Sequence, residues 1–445
     1  MDRRRTIFAL SSARGRAGVA VFRVSGPAAR AAIEALTGHP PPPSHRAALR
    51  TFRDGDGTPI DCGLVLWFEA PGSFTGEDVA EFHTHGGPAV IAAIIRRLGE
   101  LDDLRPADAG EFTRRAFANG KLDLTEAEGL ADLIAAETEQ QRRLALRQMQ
   151  GELKERYERW RVELIKALAY IEASIDFVEE DIPANLTAQM RASAERLAQE
   201  IEAHLADQRR GEIVRDGFTV VILGAPNVGK SSLLNALTRR DVAIVSSIPG
   251  TTRDAIEVDL DLGGYAVTLI DTAGLRETSD AIETEGIKRA RAKAQTADLR
   301  LGIVDAISVD DSRVSPELEA HDAILVNKCD LAPAQTVPAI AGRRVMRVSA
   351  KTGEGIEALL EWLEAQVVAR VGGAESMPMT RARHREALQD ALAALQRAPN
   401  ALDQGALDLA AEDLRLAARA LGRITGRIDV EDLLDVIFAE FCIGK

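Results

Sequence analysis

The chain has 445 residues, with 55 Lys and Arg against 69 Asp and Glu, a formal charge of −14. That balance argues against a protein that grips nucleic acid mainly by net positive charge. A hydrophobic content of 46% with 28% charged residues excludes wholesale disorder, and the length predicts more than one domain.

Residues 1–118 read as mixed α and β. Val19 to Val24 and Leu64 to Phe68 are short β-rich runs, and Pro27 to Leu36 and Pro88 to Leu98 carry apolar residues at helical spacing. Residues 119–215 read as helical, with one stripe through Met149, Leu153, Tyr157, Trp160, Leu164, Leu168, Ile171 and Ile175. Pro183 ends that run, and a second helix is expected to reach about Ile213. Residues 216–371 open on the buried-type strand Phe218 to Leu223 and alternate strands with helices, as a doubly wound α/β domain does. Helices resume over residues 372–445, so the simplest architecture is a helical domain interrupted by an α/β insertion. Cys62, Cys329 and Cys442 are far apart, which supports neither a disulfide framework nor a structural zinc site. His83 and His85 form a pair without a third ligand nearby in sequence, so a strand-end polar role is expected rather than a metal. No apolar run approaches a membrane span and no signal-peptide core follows the N-terminus, so the chain is expected to be cytoplasmic.

Gly224-Ala225-Pro226-Asn227-Val228-Gly229-Lys230-Ser231-Ser232 places GxxxxGK[ST] between a strand and a helix, the context of a phosphate-binding loop. Lys230 would reach the β- and γ-phosphates and Ser231 the Mg²⁺. Asp271-Thr272-Ala273-Gly274 follows an apolar strand, as a Walker-B aspartate and a γ-phosphate glycine should. Asn327-Lys328-Cys329-Asp330 follows another; a carboxylate at Asp330 accepts two hydrogen bonds from guanine N1 and N2, which adenine cannot offer. Ser349-Ala350-Lys351 comes later, and Gly250-Thr251-Thr252-Arg253-Asp254 lies between the first two motifs, where a switch threonine can join Mg²⁺. Five motifs in this order define a GTPase. The residue after Asp271-Thr272-Ala273-Gly274 is Leu275, which cannot orient water, so another group in the loop Arg276 to Glu285 must. No arginine finger is evident beyond the nearby Arg253 and Arg276, and a monovalent cation beside Asn227 could supply that charge instead.

The phosphate loop, Gly250-Thr251-Thr252-Arg253-Asp254 and Asp271-Thr272-Ala273-Gly274-Leu275-Arg276 resemble the TrmE-Era-like GTPases. Ser73-Phe74-Thr75-Gly76-Glu77-Asp78, His85-Gly86-Gly87-Pro88, Gly110-Glu111-Phe112-Thr113, Asn119-Gly120-Lys121-Leu122-Asp123-Leu124 and the terminal Phe441-Cys442-Ile443-Gly444-Lys445 narrow the resemblance to the MnmE (TrmE) family of tRNA modification GTPases, over essentially the whole chain. The resemblance implies a multidomain fold: an α+β N-terminal tetrahydrofolate-binding and dimerisation domain, an all-α helical domain in two parts, and an inserted α/β P-loop G domain. It implies a homodimer that acts on tRNA with a flavin-containing partner, MnmG (GidA), in a heterotetramer or larger complex, the FAD residing on that partner. It further implies K⁺-activated GTP hydrolysis, with Mg²⁺, that drives addition of an aminomethyl or carboxymethylaminomethyl group to C5 of a wobble uridine. The one-carbon unit would come from a tetrahydrofolate derivative of 5-formyl or 5,10-methylene type.

By the same resemblance, K⁺ would be held by Asn227, Ser246, Ile248 and Thr251, on a loop that includes Ser247 and Pro249, and Mg²⁺ by Ser231 and Thr252. Glu283 matches the residue that orients the attacking water, and Cys442 a terminal cysteine in the one-carbon chemistry. Arg23, Glu81, Lys121 and Lys445 match folate-contacting positions. The competing readings are a ribosome-assembly GTPase switch without modification chemistry, and a stand-alone folate enzyme with a regulatory G domain. Charge is segregated: the first 50 residues hold nine Lys and Arg against two Asp and Glu, and the acid lies in the helical and G regions. A more basic partner is therefore expected to supply much of the grip on tRNA.

Overall fold

The computed structural model describes residues 5–13, 15–176, 184–244, 257–271, 297–307, 318–319, 322–332, 343–372, 377–428, 431–439, 441 and 443–444. Its strands are β1 (Thr6–Leu10), β2 (Ala17–Ser25), β3 (Ala47–Arg53), β4 (Pro59–Phe68), β5 (Val79–Gly86), β6 (Leu104–Pro106), β7 (Phe218–Gly224), β8 (Glu257–Leu262), β9 (Tyr265–Asp271), β10 (Leu299–Asp305), β11 (Ala323–Asn327) and β12 (Arg344–Arg347). The helices are α1 (Ala29–Thr37), α2 (Pro88–Gly99), α3 (Glu111–Ala118), α4 (Leu124–Ala135), α5 (Glu139–Met149), α6 (Glu152–Asp176), α7 (Ala184–Leu205), α8 (Arg210–Asp216), α9 (Lys230–Thr238), α10 (Ile356–Val371), α11 (Ala382–Asp403), α12 (Leu407–Thr425) and α13 (Glu431–Ala439).

The chain divides into two compact units, each built from discontinuous segments: residues 1–131, 148–190 and 400–445, and residues 132–147 and 191–399. In the first, six strands run in the order β3-β4-β5-β2-β1-β6, antiparallel except for the β1–β6 pair. Side chains alternate between faces along each strand. One face carries Phe8, Phe22, Phe52, Val65 and Phe82, which pack with Ile33 and Leu36 of α1 and Ile94 and Leu98 of α2. The other face holds the register row Ala9, Arg23, Glu81, Leu66. At the β1 end Phe112 of α3 closes over Ile7 and Ala9, while toward β3 and β4 the exposed Leu49 and Leu64 leave the face open.

The helical stripe is real, but it belongs to two helices rather than one run. Gly151, at φ 91°, separates Met149 on α5 from Leu153 on α6. Similarly, Gln208 and Arg209 take φ of 54° and 63°, so the second expected helix stops at Leu205 and α8 starts afresh. Leu153, Tyr157, Leu164 and Ile171 bury one side of α6, and it packs closely on α12, whose buried face is rich in alanine (Ala410, Ala411, Ala417, Ala418). Small residues there allow close approach of the two helices.

Asp123 caps α4 reciprocally with Glu126: each backbone N–H donates to the other's carboxylate at 2.8 Å. Its second oxygen, Oδ2, is buried without a hydrogen-bond partner. Burial, helped by the Glu126 charge and opposed by the Glu126 N–H, the Thr125 hydroxyl and Lys154, pushes its pKa up from 3.8 to about 6. The native state then holds a proton that the unfolded state has released across this window, so stability falls as pH rises from about 4 to about 6. Asp123→Asn keeps the acceptor at the cap and should flatten that limb, a change of up to about 3 kcal/mol. Denaturation midpoints at pH 4 and pH 7 check it; an unchanged difference between the two would refute it.

In the second unit the strand order is β12-β11-β10-β7-β9-β8, parallel except for the β8–β9 hairpin. β11 is buried along its whole length, as expected of a parallel strand covered on both faces. Val220, Ile222, Leu301 and Leu325 form the sheet's contribution to a core that includes Leu233 and Leu237 of α9 and Leu359 and Leu363 of α10. Among the described residues no helix is long and apolar enough to cross a membrane.

Candidate nucleotide and folate sites

β7 runs directly into the phosphate loop, and α9 begins at Lys230 behind Gly229, which takes φ 100°. The N-terminal N–H groups of α9 and its dipole make this end of the sheet a place for phosphate. Gly229 has a second constraint: a Cβ there would lie 2.2 Å from Asn327 Nδ2. That amide donates to the Val228 carbonyl at 2.8 Å, and the Asn327 side-chain oxygen accepts from Ala350 N–H at 3.1 Å. Asn327 thus ties the phosphate loop to the Ser349-Ala350-Lys351 turn from a buried position.

Lys230 is buried and its ammonium donates to the carbonyls of Gly224 and Ala225 at 2.8 and 3.0 Å. Ser231 Oγ donates to Asp271 Oδ2 at 2.9 Å, so the hydroxyl expected on Mg²⁺ lies against the Walker-B aspartate. Asn227 is exposed at the loop tip in the left-handed region, φ 66°, and Ser232 is exposed on the first turn of α9. The Lys328 ammonium donates to the Asn227 carbonyl at 3.0 Å and to Asp305 Oδ2 at 2.6 Å. Ser349 Oγ donates to Asp330 Oδ1 at 2.7 Å, which orients the carboxylate expected to read guanine. Lys351 is exposed beside it. Burial and the neighbouring Glu354 push the Cys329 thiol up, which keeps it protonated and inert.

The structure therefore brings together Asn227, Val228, Gly229, Lys230, Ser231, Asp271, Asn327, Lys328, Asp330, Ser349 and Ala350 at the carboxyl ends of parallel strands, where open α/β sheets bind ligands. Ser246, Ser247, Ile248, Pro249, Gly250, Thr251, Thr252, Arg253, Thr272, Ala273, Gly274, Leu275, Arg276 and Glu283 lie outside the described residues, as do Cys442 and Lys445. Sequence reading missed Asp305. It stands at the end of β10 in register with Asn327, a long-range pairing that no local sequence pattern announces.

The other predicted site lies on the second face of the N-terminal sheet. Arg23 Nε and Nη2 both donate to Glu81 Oε1, at 3.0 and 2.8 Å, across the β2–β5 register pair. The guanidinium lies 5.8 Å from the ring centroids of both Phe74 and Phe112. Arg23 is thus a partly buried group on an interior strand rather than a solvated strand-edge residue. Lys121 Nζ donates to the Pro71 carbonyl at 2.9 Å, so it abuts the loop that carries Phe74. His83 shares Glu81 through Oε2 at 3.3 Å, whereas His85 pairs with Asp61. No metal-binding cluster forms among the described residues. The C-terminal segment reaches the same end of β1: Ile443 bridges Ala109, and Ser11 Oγ donates to the Gly444 carbonyl at 3.0 Å.

Phosphate loop, Walker-B aspartate, Asn-Lys-x-Asp and Ser-Ala-Lys turns on one sheet edge define a P-loop G domain, joined here to an α+β domain and helices. A family model described as the MnmE helical domain matches residues 124–442, and another, the GTP-binding protein TrmE N-terminus, matches residues 6–121. The chain is 57% identical to the tRNA modification GTPase MnmE of Parvibaculum lavamentivorans, over 99% of this chain and 100% of that one. It is 54% identical to the protein of that name in Paramagnetospirillum magneticum and 52% to that in Rhodospirillum rubrum, over 99% of each chain. The chain belongs to the MnmE (TrmE) family.

Proposed function

We propose that this protein is a cytoplasmic, K⁺-activated GTPase that, with a flavin-containing partner (MnmG/GidA), installs an aminomethyl or carboxymethylaminomethyl group on C5 of the wobble uridine of certain tRNAs. The observation that carries the GTPase reading is the convergence of the described parts of four GTP motifs on one sheet edge. The tRNA reading rests on full-length similarity to relatives named for that activity.

Each residue has a physical role in this reading. The α9 N-terminus and Lys230 hold the phosphates, and Asp330 reads the base. Ser231 beside Asp271, with Thr252, fits Mg²⁺, an oxygen-seeking cation. Asn227 is exposed in a left-handed turn at the loop tip, which fits a side-chain ligand for K⁺ with Ser246, Ile248 and Thr251. That ion would supply positive charge beside the phosphates. Glu283 would orient the water.

Arg23, near two aromatic rings and paired with Glu81, fits a planar, polar heterocycle, with Lys121 and Lys445 for the acidic tail of a tetrahydrofolate. The folate would supply the one-carbon unit, with Cys442 taking part in its transfer. The open sheet face at Leu49 and Leu64 fits a second copy of the chain, and the acidic helical and G regions leave most of the tRNA grip to the partner.

Two measurements test the proposal. GTP turnover should rise at least about tenfold when K⁺ replaces Na⁺, as expected when a cation takes the place of an arginine finger; equal rates would end the cation reading. Mass analysis of tRNA nucleosides from a deletion strain should show the wobble modification missing. Unaltered uridines would leave a GTPase switch without modification chemistry.

A further inference from the structure

Two consecutive carbonyls of the phosphate loop are held by two consecutive residues of the Asn-Lys-x-Asp turn. Asn327 holds the Val228 carbonyl at 2.8 Å and Lys328 the Asn227 carbonyl at 3.0 Å. Asn227 and Lys328 are both non-glycine residues with positive φ, 66° and 62°, conformations that persist only where surrounding contacts fix them. The contact that fixes Lys328 comes from a third strand. Asp305 closes β10 opposite Asn327, and its Oδ2 accepts from the Lys328 ammonium at 2.6 Å while Oδ1 accepts from Ile307 N–H at 2.9 Å. Burial pushes this carboxyl up, but the Lys328 and Ile307 hydrogen bonds and the lysine charge outweigh it and hold it below its ordinary value.

One ammonium thus spans the base-recognition turn and the backbone of the residue whose side chain fits K⁺. We propose that Asp305 is a positioning residue that couples guanine recognition to the monovalent-cation site, by holding Lys328 on the Asn227 carbonyl. Without the carboxylate, Lys328 is released toward solvent and the Asn227 peptide loses the contact that keeps it in its left-handed turn. The Asn227 amide then samples orientations unsuited to the ion, and cation affinity falls. Coupling of this kind is reciprocal: the ion tightens Lys328 over the base as much as the base tightens the ion. The inference rests on the cation reading above.

Asp305→Ser is the informative variant. A serine hydroxyl can still accept from Ile307 N–H and keep the turn, but cannot reach Lys328. The assay uses the full-length protein and follows both GTP turnover and binding of a non-hydrolysable GTP analogue, varying K⁺ against Na⁺ at constant ionic strength. The K⁺ concentration for half-maximal turnover should rise about fivefold or more, while turnover at saturating K⁺ stays within about twofold. Asp305→Asn, which cannot satisfy both Lys328 and Ile307, should move in the same direction. A purely structural role would weaken GTP binding equally in K⁺ and Na⁺ and leave half-saturation unmoved, and that result would overturn the inference. Equal wild-type rates in K⁺ and Na⁺ would instead remove the cation reading, and the inference with it. K⁺ activation in the wild type with unmoved half-saturation in both variants sinks the inference alone.

Discussion

Arg115→Met should lower the stability of the N-terminal sheet by about 3–5 kcal/mol, the usual cost of breaking a buried ion network from one side. Arg115 is only 7% exposed and Glu111 2%. The Arg115 guanidinium donates to Glu77 Oε2 at 3.0 Å, to Glu111 Oε1 at 3.3 Å and to the Arg5 carbonyl at 2.8 Å. Glu77 in turn accepts from Ser25 Oγ, which shares a hydrogen bond with Thr75. Burial pushes the Glu111 carboxyl up, but Arg105, the Asp108 N–H and the Arg115 charge together hold it below its ordinary value. Methionine matches much of the arginine stem but leaves the buried Glu111 and the part-buried Glu77 carboxylates with less compensation. Native-state hydrogen exchange of the β1 and β2 amides reads the effect locally. A second substitution, Glu77→Gln, should restore part of the loss, because it removes one of the stranded charges. A loss below about 1 kcal/mol would mean that the network behaves as a solvated surface pair. The same change should loosen the Ser73–Asp78 segment and with it Phe74 under Arg23, so affinity for the proposed folate should fall with stability.

The sequence made the G domain legible because its chemistry sits at strand ends and needs fixed residue types. A glycine must stand where Asn327 crowds the loop, and a carboxylate where guanine offers two donors. The strands Val19–Val24 and Leu64–Phe68 were legible from their β-rich composition, and α2 from the proline at its first position. What was illegible had other causes. The α5–α6 break is set by one positive-φ glycine, and the apolar stripe continues across it unchanged. β6 is three residues long and ends in Pro106; it exists because β1 offers it a parallel edge, a long-range contact no local pattern announces. Asp305 reads locally as a turn carboxylate, which it also is; its bond to Lys328 depends on β10 and β11 lying side by side. The pairing of Arg23 with a carboxylate was not legible from its own strand. Glu81, its register partner, lies 58 residues away.

Asp330→Asn should invert the choice between GTP and XTP. Asp330 follows Lys328 in a short helical turn, and Ser349 Oγ fixes one carboxylate oxygen at 2.7 Å. Guanine presents two donors, N1–H and the N2 amino group, to two carboxylate acceptors. Asparagine keeps one acceptor and turns the other into an N–H donor facing the N2 donor. Losing a charge-assisted bond costs about 1.5–3 kcal/mol, and leaving the guanine amino group unpaired adds a further penalty of similar size. GTP affinity should therefore fall by about 10² to 10⁴. Xanthine carries an oxygen in place of that amino group, which accepts from the new N–H while N1–H still donates to the remaining oxygen. XTP should bind the variant at least about tenfold better than GTP does, measured by displacement of a fluorescent nucleotide. Ser349→Ala leaves the carboxylate intact and removes only its orientation, so its loss should stay near tenfold. An unchanged GTP preference in Asp330→Asn would place base recognition elsewhere. The variant also separates recognition from turnover: the phosphate loop, Ser231 and Asp271 are untouched, so XTP hydrolysis should show the same K⁺ dependence that is proposed for GTP hydrolysis in the parent. If XTP bound but K⁺ no longer accelerated its hydrolysis, the base turn would control the cation loop more strongly than a single lysine bridge can explain.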